Sequence, residues 1–216
     1  MTGRRYHQHC ALAKSLDLVG DRWTLLIVRE LLDGPKRYVD LHEGLVTIPT
    51  DTLATRLRGL ERDGLVERVQ LPAPADRSVY ELTEAGRGLE AVVDAYVSWG
   101  LDLITQRDPD DVVRPQWLVR AVRSLLRPDR EGVDLVLALR TPDGDAALHI
   151  TDRHAEGVDP STPADVTLTA TVEDLAAALA PDRARRLVAE QRLRAEGPPA
   201  QLRRLADLFG AADATA

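Results

Sequence analysis

The chain has 216 residues, 44% of them hydrophobic and 29% charged, and a net charge of −7. That balance fits a globular protein and excludes both a disordered chain and a polybasic coat for nucleic acid. No apolar run approaches the ~18 residues of a membrane span, the start MTGRRYHQHC has no apolar signal core, and a single cysteine, Cys10, excludes an intramolecular disulfide.

A cytoplasmic protein without membrane contact is therefore expected. Neither half of the sequence is net basic, so any DNA binding must rest on local geometry. Charges and two prolines in TQRDPDDVVRP, 105–115, break the apolar periodicity. This predicts one domain over 1–106 and a second over 107–216.

In chain order, residues 8–19 read as a first helix, with Cys10, Ala13, Leu16 and Val19 at helical spacing. Arg22–Leu32 contains WTLLIV, apolar almost all round, and is expected to be buried. Asp33-Gly34-Pro35 ends it, and a short helix, Tyr38–Gly44, follows. TIPTDT, 47–52, then opens another helix with hydroxyls and an acid in its first turn.

In that helix Leu53, Leu57 and Leu60 mark the buried side, and Asp51, Thr52, Thr55, Arg58, Gly59 and Arg62 the opposite one. Small hydroxyls near its start and arginines further along suit a helix set end-first in a major groove. LVERVQL and SVYELT, joined by PAPADR, alternate as a two-stranded hairpin with Arg77 at its tip. Helix–turn–helix followed by hairpin is the winged-helix plan.

Glu84–Ile104 reads as one long helix. Leu89, Val92, Tyr96, Trp99 and Leu103 form an a/d-like stripe, with Val93, Val97, Leu101 and Ile104 beside it. One face covers its own domain. The other is expected to form a homodimer seam, with burial against the second domain as the alternative.

CALAKSLDLVGDRWTLLIVRELLDGPKRYVDL, IPTDTLATRLRGLERDGLVERV and VYELTEAGRGLEAVV…W resemble HxlR-type winged-helix regulators, relatives of MarR-type repressors. The resemblance spans about Cys10–Trp99. It implies homodimers that bind pseudo-palindromic double-stranded operators through paired recognition helices and wings.

Thr50, Thr52 and Thr55 are then candidates for base edges or phosphates, with helix capping the alternative for Thr50. Lys36, Arg37, Arg58 and Arg62 are candidate phosphate contacts. Arg56 lies on the flank, as a reader or a structural ion-pair residue. Arg77 suits a minor groove, where a lone arginine senses width. Cys10 reads either as a thiol sensor activated by His7, His9 or Lys14, or as a small packing residue in the seam. No cofactor or metal is expected, since the H-x-H-C run sits on an arm that fixes no coordination geometry.

In the second half, residues 133–139, 146–150 and 166–171 alternate as strands of an antiparallel sheet with one buried face. Helices Thr171–Ala180 and Asp182–Glu190, the strand RLRAE and a final helix Pro199–Phe209 follow. This order, with ADVTLTATVEDLAAALA and RLRAEGPPAQLRRLADLF, resembles the sterol-carrier-protein type 2 superfamily over about 112–210. The resemblance implies an apolar tunnel for hydrophobic molecules; Trp117, Val122, Leu126, Leu137, Leu148 and Leu168 are the candidate lining.

The expected whole is α+β: a winged helix-turn-helix domain, then a sterol-carrier-like sandwich. No Gly-x-Ser-x-Gly, P-loop, dinucleotide fingerprint or His-Glu-x-x-His motif occurs, so an enzyme is not expected. The function expected is a one-component DNA-binding regulator, a repressor, that answers a small hydrophobic effector. A cysteine-based redox regulator and a carrier or accessory protein with a winged-helix dimerisation module are the alternatives.

Overall fold

Four helices open the chain in the computed structural model, which describes residues 5–74, 76–104, 106–179 and 181–209. They are α1 (Ala11–Val19), α2 (Thr24–Leu32), α3 (Tyr38–Gly44) and α4 (Thr50–Arg62). Ile27, Val28, Leu41, Leu53 and Leu57 are almost completely buried, as helical spacing requires when one stripe faces a core. Helix α2 is not buried all round: Leu26 is exposed, on the side turned away from Ile27, Val28 and Leu31.

The strands β1 (Val66–Gln70) and β2 (Ser78–Leu82) pair antiparallel, from Val66 opposite Leu82 to Gln70 opposite Ser78. Lys36 exchanges two backbone hydrogen bonds with Tyr80, at 3.0 and 2.8 Å, so the segment before α3 is pinned to this hairpin.

The long helix expected over Glu84–Ile104 is broken. Its parts are α5 (Glu84–Arg87), α6 (Glu90–Gly100) and a 3₁₀ turn, Leu101–Ile104. Gly86 and Gly88 lower helix propensity at the first break and Gly100 at the second. Packing fixes Gly86 as well: a Cβ there would lie 2.0 Å from the carbonyl oxygen of Leu65.

The later elements are α7 (Gln116–Leu125), β3 (Asp134–Thr141), β4 (Gly144–Thr151), β5 (Ala155–Val158), β6 (Val166–Thr169), α8 (Val172–Ala178), α9 (Pro181–Ala189), β7 (Arg194–Glu196) and α10 (Pro199–Leu208). Thr171 caps α8 as the sequence suggests, accepting from the Asp174 amide at 3.2 Å. The helix end expected at Ala180 lies outside the described residues.

The five-stranded sheet has the order β5-β4-β3-β6-β7. It is mixed rather than antiparallel, because β6 runs parallel to β3 with Leu137 opposite Val166. Alternation reveals which residues face the core but not which strand lies beside which, and β5, AEGV, carries no run of alternating apolar residues to mark it as a strand. Leu135, Leu137, Leu139, Leu148, Ile150 and Val166 are deeply buried in this sheet, as are Ala138 and Ala147.

The contacts divide the chain into two compact units, Met1–Val93 and Asp94–Ala216. From Asp94 onward the chain packs with the second unit: Asp94 accepts from Arg120 of α7 at 3.1 Å, and Asp102 from Arg183 of α9 at 2.8 Å.

Candidate nucleic-acid interface and apolar cavity

Helices α3 and α4 are held in a helix-turn-helix by a hydrogen bond from the Tyr38 hydroxyl to the Thr50 carbonyl, at 2.8 Å. Val46, in the turn between them, has φ +52°, a left-handed conformation that is costly for a β-branched residue. The start of α3 is closed by Asp40, which accepts from the Arg37 amide at 3.0 Å and from its guanidinium at 2.8 and 2.5 Å. The Arg37 guanidinium and amide hold the Asp40 carboxyl down at about 2.

The apolar side of α4 is buried through Leu53, Leu57 and Leu60. Thr50 is not the cap. Pro49 occupies the N-cap position without a side-chain hydrogen bond, and Thr50 is the first helical residue, exposed. Thr52 is half-buried, while Thr55 and Arg58 are exposed and joined, Arg58 Nη2 donating to Thr55 Oγ1 at 3.3 Å.

Other candidate arginines have carboxylate partners. Arg56 pairs with Asp21 at 2.7 Å, across to the turn before α2, which is the structural ion-pair arrangement. Arg62 pairs with its neighbour Asp63 at 2.9 and 3.1 Å. Arg37 is engaged with Asp40, as described. Lys36 is half-buried, fixed by its backbone bridge to Tyr80. Arg77 is exposed on the loop of the hairpin. The polar pair that α4 presents without a carboxylate contact, among the described residues, is therefore Thr55 and Arg58.

Of the expected seam, Leu89 is half-buried, whereas Val92, Tyr96, Trp99 and Leu103 are exposed, Trp99 at 75%. Leu103 lies in the 3₁₀ turn, so the a/d spacing does not continue past Gly100. In the neighbouring stripe Val93 is buried. Cys10 is exposed at the N-cap of α1. Its side chain makes no capping hydrogen bond, but the nearby backbone of Ala13 and Leu12 in the first turn of α1 lowers its thiol pKa. Lys14, expected beside it, pairs with Asp17 at 3.9 Å instead.

The second unit contains a partly open cavity of about 450 Å³, within the range of small-molecule sites. Val122, Leu137 and Leu168 line it as expected. Trp117, Leu126 and Leu148 do not: Leu126 and Leu148 are buried in the core, and Trp117 is half-buried on α7. Much of the remaining lining comes from α8, α9 and α10, for example Leu175, Val188 and Leu205, with Leu118 of α7 and Leu139 of β3 beside them. The apolar stripes of those helices were the signal for it. Among the described residues no helix is long and apolar enough to cross a membrane.

Residues 18–108 match the family described as HxlR-like helix-turn-helix. The HTH-type transcriptional regulator YodB of Bacillus subtilis is 39% identical over 88 residues, covering 41% of this chain and 79% of YodB. An uncharacterized HTH-type transcriptional regulator of Mycobacterium bovis, Mb3122, is 44% identical over 90 residues, 42% of this chain. The match spans 56% of that mycobacterial relative. A crystal structure of quinone-bound YodB aligns at 36% identity with a TM-score of 0.36, over 41% of this chain and 93% of that one.

The chain belongs to the HxlR-like helix-turn-helix family. The family accounts for the winged helix-turn-helix of its first half, and the matched region stops before α7.

Proposed function

We propose that the protein is a cytoplasmic one-component transcriptional regulator, not an enzyme, that binds operator DNA as a homodimer. In this reading α4 enters the major groove and presents Thr55 and Arg58, with Thr52 nearer its start and Arg77 reaching from the hairpin. The second half is a sterol-carrier-like sensor whose cavity takes a small hydrophobic effector, and the protein acts as a repressor released by it. A coupling of ~1–3 kcal/mol between the two sites corresponds to a 5–150-fold change in operator affinity.

The observation that carries the reading is the exposed Thr55–Arg58 pair on α4, opposite Leu53, Leu57 and Leu60. Support for the homodimer comes from the exposed apolar residues Tyr96 and Trp99 on α6. Footprinting on DNA flanking the gene, with and without an organic extract of the host, tests the reading. A protected site lost in the double variant Thr55→Ala, Arg58→Ala is expected. Absence of any protected site under both conditions refutes it.

A second reading is favoured by the exposure of Cys10 and its lowered thiol pKa at the head of α1: a thiol that responds to electrophiles or oxidants. It predicts that Cys10→Ser abolishes the response of operator binding to such reagents. An unchanged response excludes it.

A further inference from the structure

Arg37, Arg56 and Arg62 are each tied to a carboxylate, but two arginines outside α4 are held differently. Arg22, in the turn before α2, is exposed, and its guanidinium lies 5.5 Å from the centroid of the Trp23 ring. Arg68, on β1, is also exposed and lies 6.0 Å from the centroid of the Tyr80 ring. Neither has a carboxylate or hydrogen-bond partner among the described residues. A guanidinium resting on an aromatic face is attracted to the ring and keeps its N–H edge free to fork onto a phosphate. The ring also restricts its rotamers beforehand, so less freedom is lost on binding.

Local structure sets the two on opposite sides of α4. At ~100° per residue, Arg56 and Arg58 leave that helix in nearly opposite directions. Asp21, which pairs with Arg56 at 2.7 Å, is the chain neighbour of Arg22, so Arg22 belongs to the Arg56 side. On the other side, Tyr80 feels both Arg68 and Arg58: burial raises its phenol pKa, and the two guanidiniums pull it back. Strand pairing fixes this arrangement, with Arg68 directly opposite Tyr80 and Tyr80 bridged in turn to Lys36.

We propose that Arg22 and Arg68 are backbone clamps, one on each side of α4, that grip the phosphates bordering the groove this helix enters. A major groove ~12 Å wide is bordered by both strands, so a helix seated in it has a row of phosphates on either side. The proposal rests on the reading of α4 as the recognition helix and adds what fixes its tilt. Phosphate contacts position a protein without carrying sequence information. In a chain with a net charge of −7, such local cations supply attraction that the bulk charge withholds.

Fluorescence anisotropy on the full-length protein tests it, with two duplexes of equal length. One is enriched by the protein from a randomised pool; the other is unselected. Arg22→Gln and Arg68→Gln should each weaken binding to both duplexes by the same factor. Each should also lower the slope of log affinity against log salt by about two units in a dimer. Arg22→Lys and Arg68→Lys keep the charge and should keep the slope. Arg203→Gln removes the same charge from an exposed position on α10 and should leave the slope unchanged.

An unchanged slope in either glutamine variant, a loss confined to the enriched duplex, or an equal loss in Arg203→Gln each overturns the assignment. A slope that the lysine variants do not restore does the same. If the natural protein enriches no duplex, the recognition reading and the clamp fall together. If Thr55→Ala with Arg58→Ala abolishes binding while the Arg22 and Arg68 variants bind as the natural protein does, the clamp alone is refuted.

Discussion

Arg120, only 4% exposed, donates from Nη1 to Oδ1 of Asp94 at 3.1 Å and so ties α7 to α6. Leu118 and Val122 on the same helix line the cavity, and Asp94 sits on the helix that carries Tyr96 and Trp99. A buried cation that loses a carboxylate is costly, whereas replacing it by an apolar side chain of similar length is tolerated. Asp94→Ala should lower unfolding free energy by ~2 kcal/mol in urea titrations, and Arg120→Met by clearly less. Equal losses would mean that the ion pair itself matters little.

Arg56 and Arg58 are two residues apart but should behave differently. Arg58→Ala removes one proposed phosphate contact per protomer, so the slope of log affinity against log salt should fall by about two units in a dimer. Arg56→Ala breaks the pair with Asp21 and should cost no more than ~1 kcal/mol of stability, with the salt slope kept. Salt-dependent anisotropy on operator DNA reads both.

The Arg37–Asp40 cap predicts a pH dependence. Because the folded carboxyl titrates at about 2, below its ordinary value near 4, the cap stabilises the fold above the ordinary value. The contribution is lost as pH falls toward about 2. Asp40→Asn should cost ~1 kcal/mol at neutral pH, the usual value of a helix cap. The gap between the variant and the natural protein should close as denaturation is repeated at decreasing pH.

Gly86 should not accept even a methyl group. Its added Cβ would meet the Leu65 carbonyl at 2.0 Å, so Gly86→Ala must separate α5 from the entry to β1. A loss of ~1–3 kcal/mol is expected, seen as a lower melting temperature. Gly100→Ala, where nothing lies within 4 Å, should be neutral or slightly stabilising.

Val46 offers the opposite sign. Its left-handed backbone costs a β-branched residue ~1–2 kcal/mol, and asparagine tolerates that region better. Val46→Asn should therefore raise the melting temperature by a few degrees, measured by circular dichroism. A lower value would mean that the valine side chain contributes more than its backbone costs.

Much of the first half is legible in the sequence because its helices are amphipathic and its signals local. Leu53, Leu57 and Leu60 define the side of α4, and Asp33-Gly34-Pro35 ends α2 where expected. The fate of Arg56 is not local, since its partner Asp21 lies 35 residues away and reaches it only through tertiary packing. The break at Gly88 was visible as Gly86-x-Gly88, but the apolar stripe running through it suggested continuity. The cavity was legible only as a type of lining. Leu148 is as apolar as Leu137, yet the placement of β6 and the helices against β3 puts Leu137 on the cavity and Leu148 in the packed interior.

The five-stranded sheet ends in β5 and β7, of four and three residues. Edges so short, with Glu156 on one and an Arg194–Glu196 ion pair at 2.7 Å on the other, give a foreign strand little backbone to template on. The sheet is thereby protected from edge-to-edge aggregation. In the proposed homodimer, self-recognition is left to helices, whose side chains specify a partner in a way that an open strand cannot.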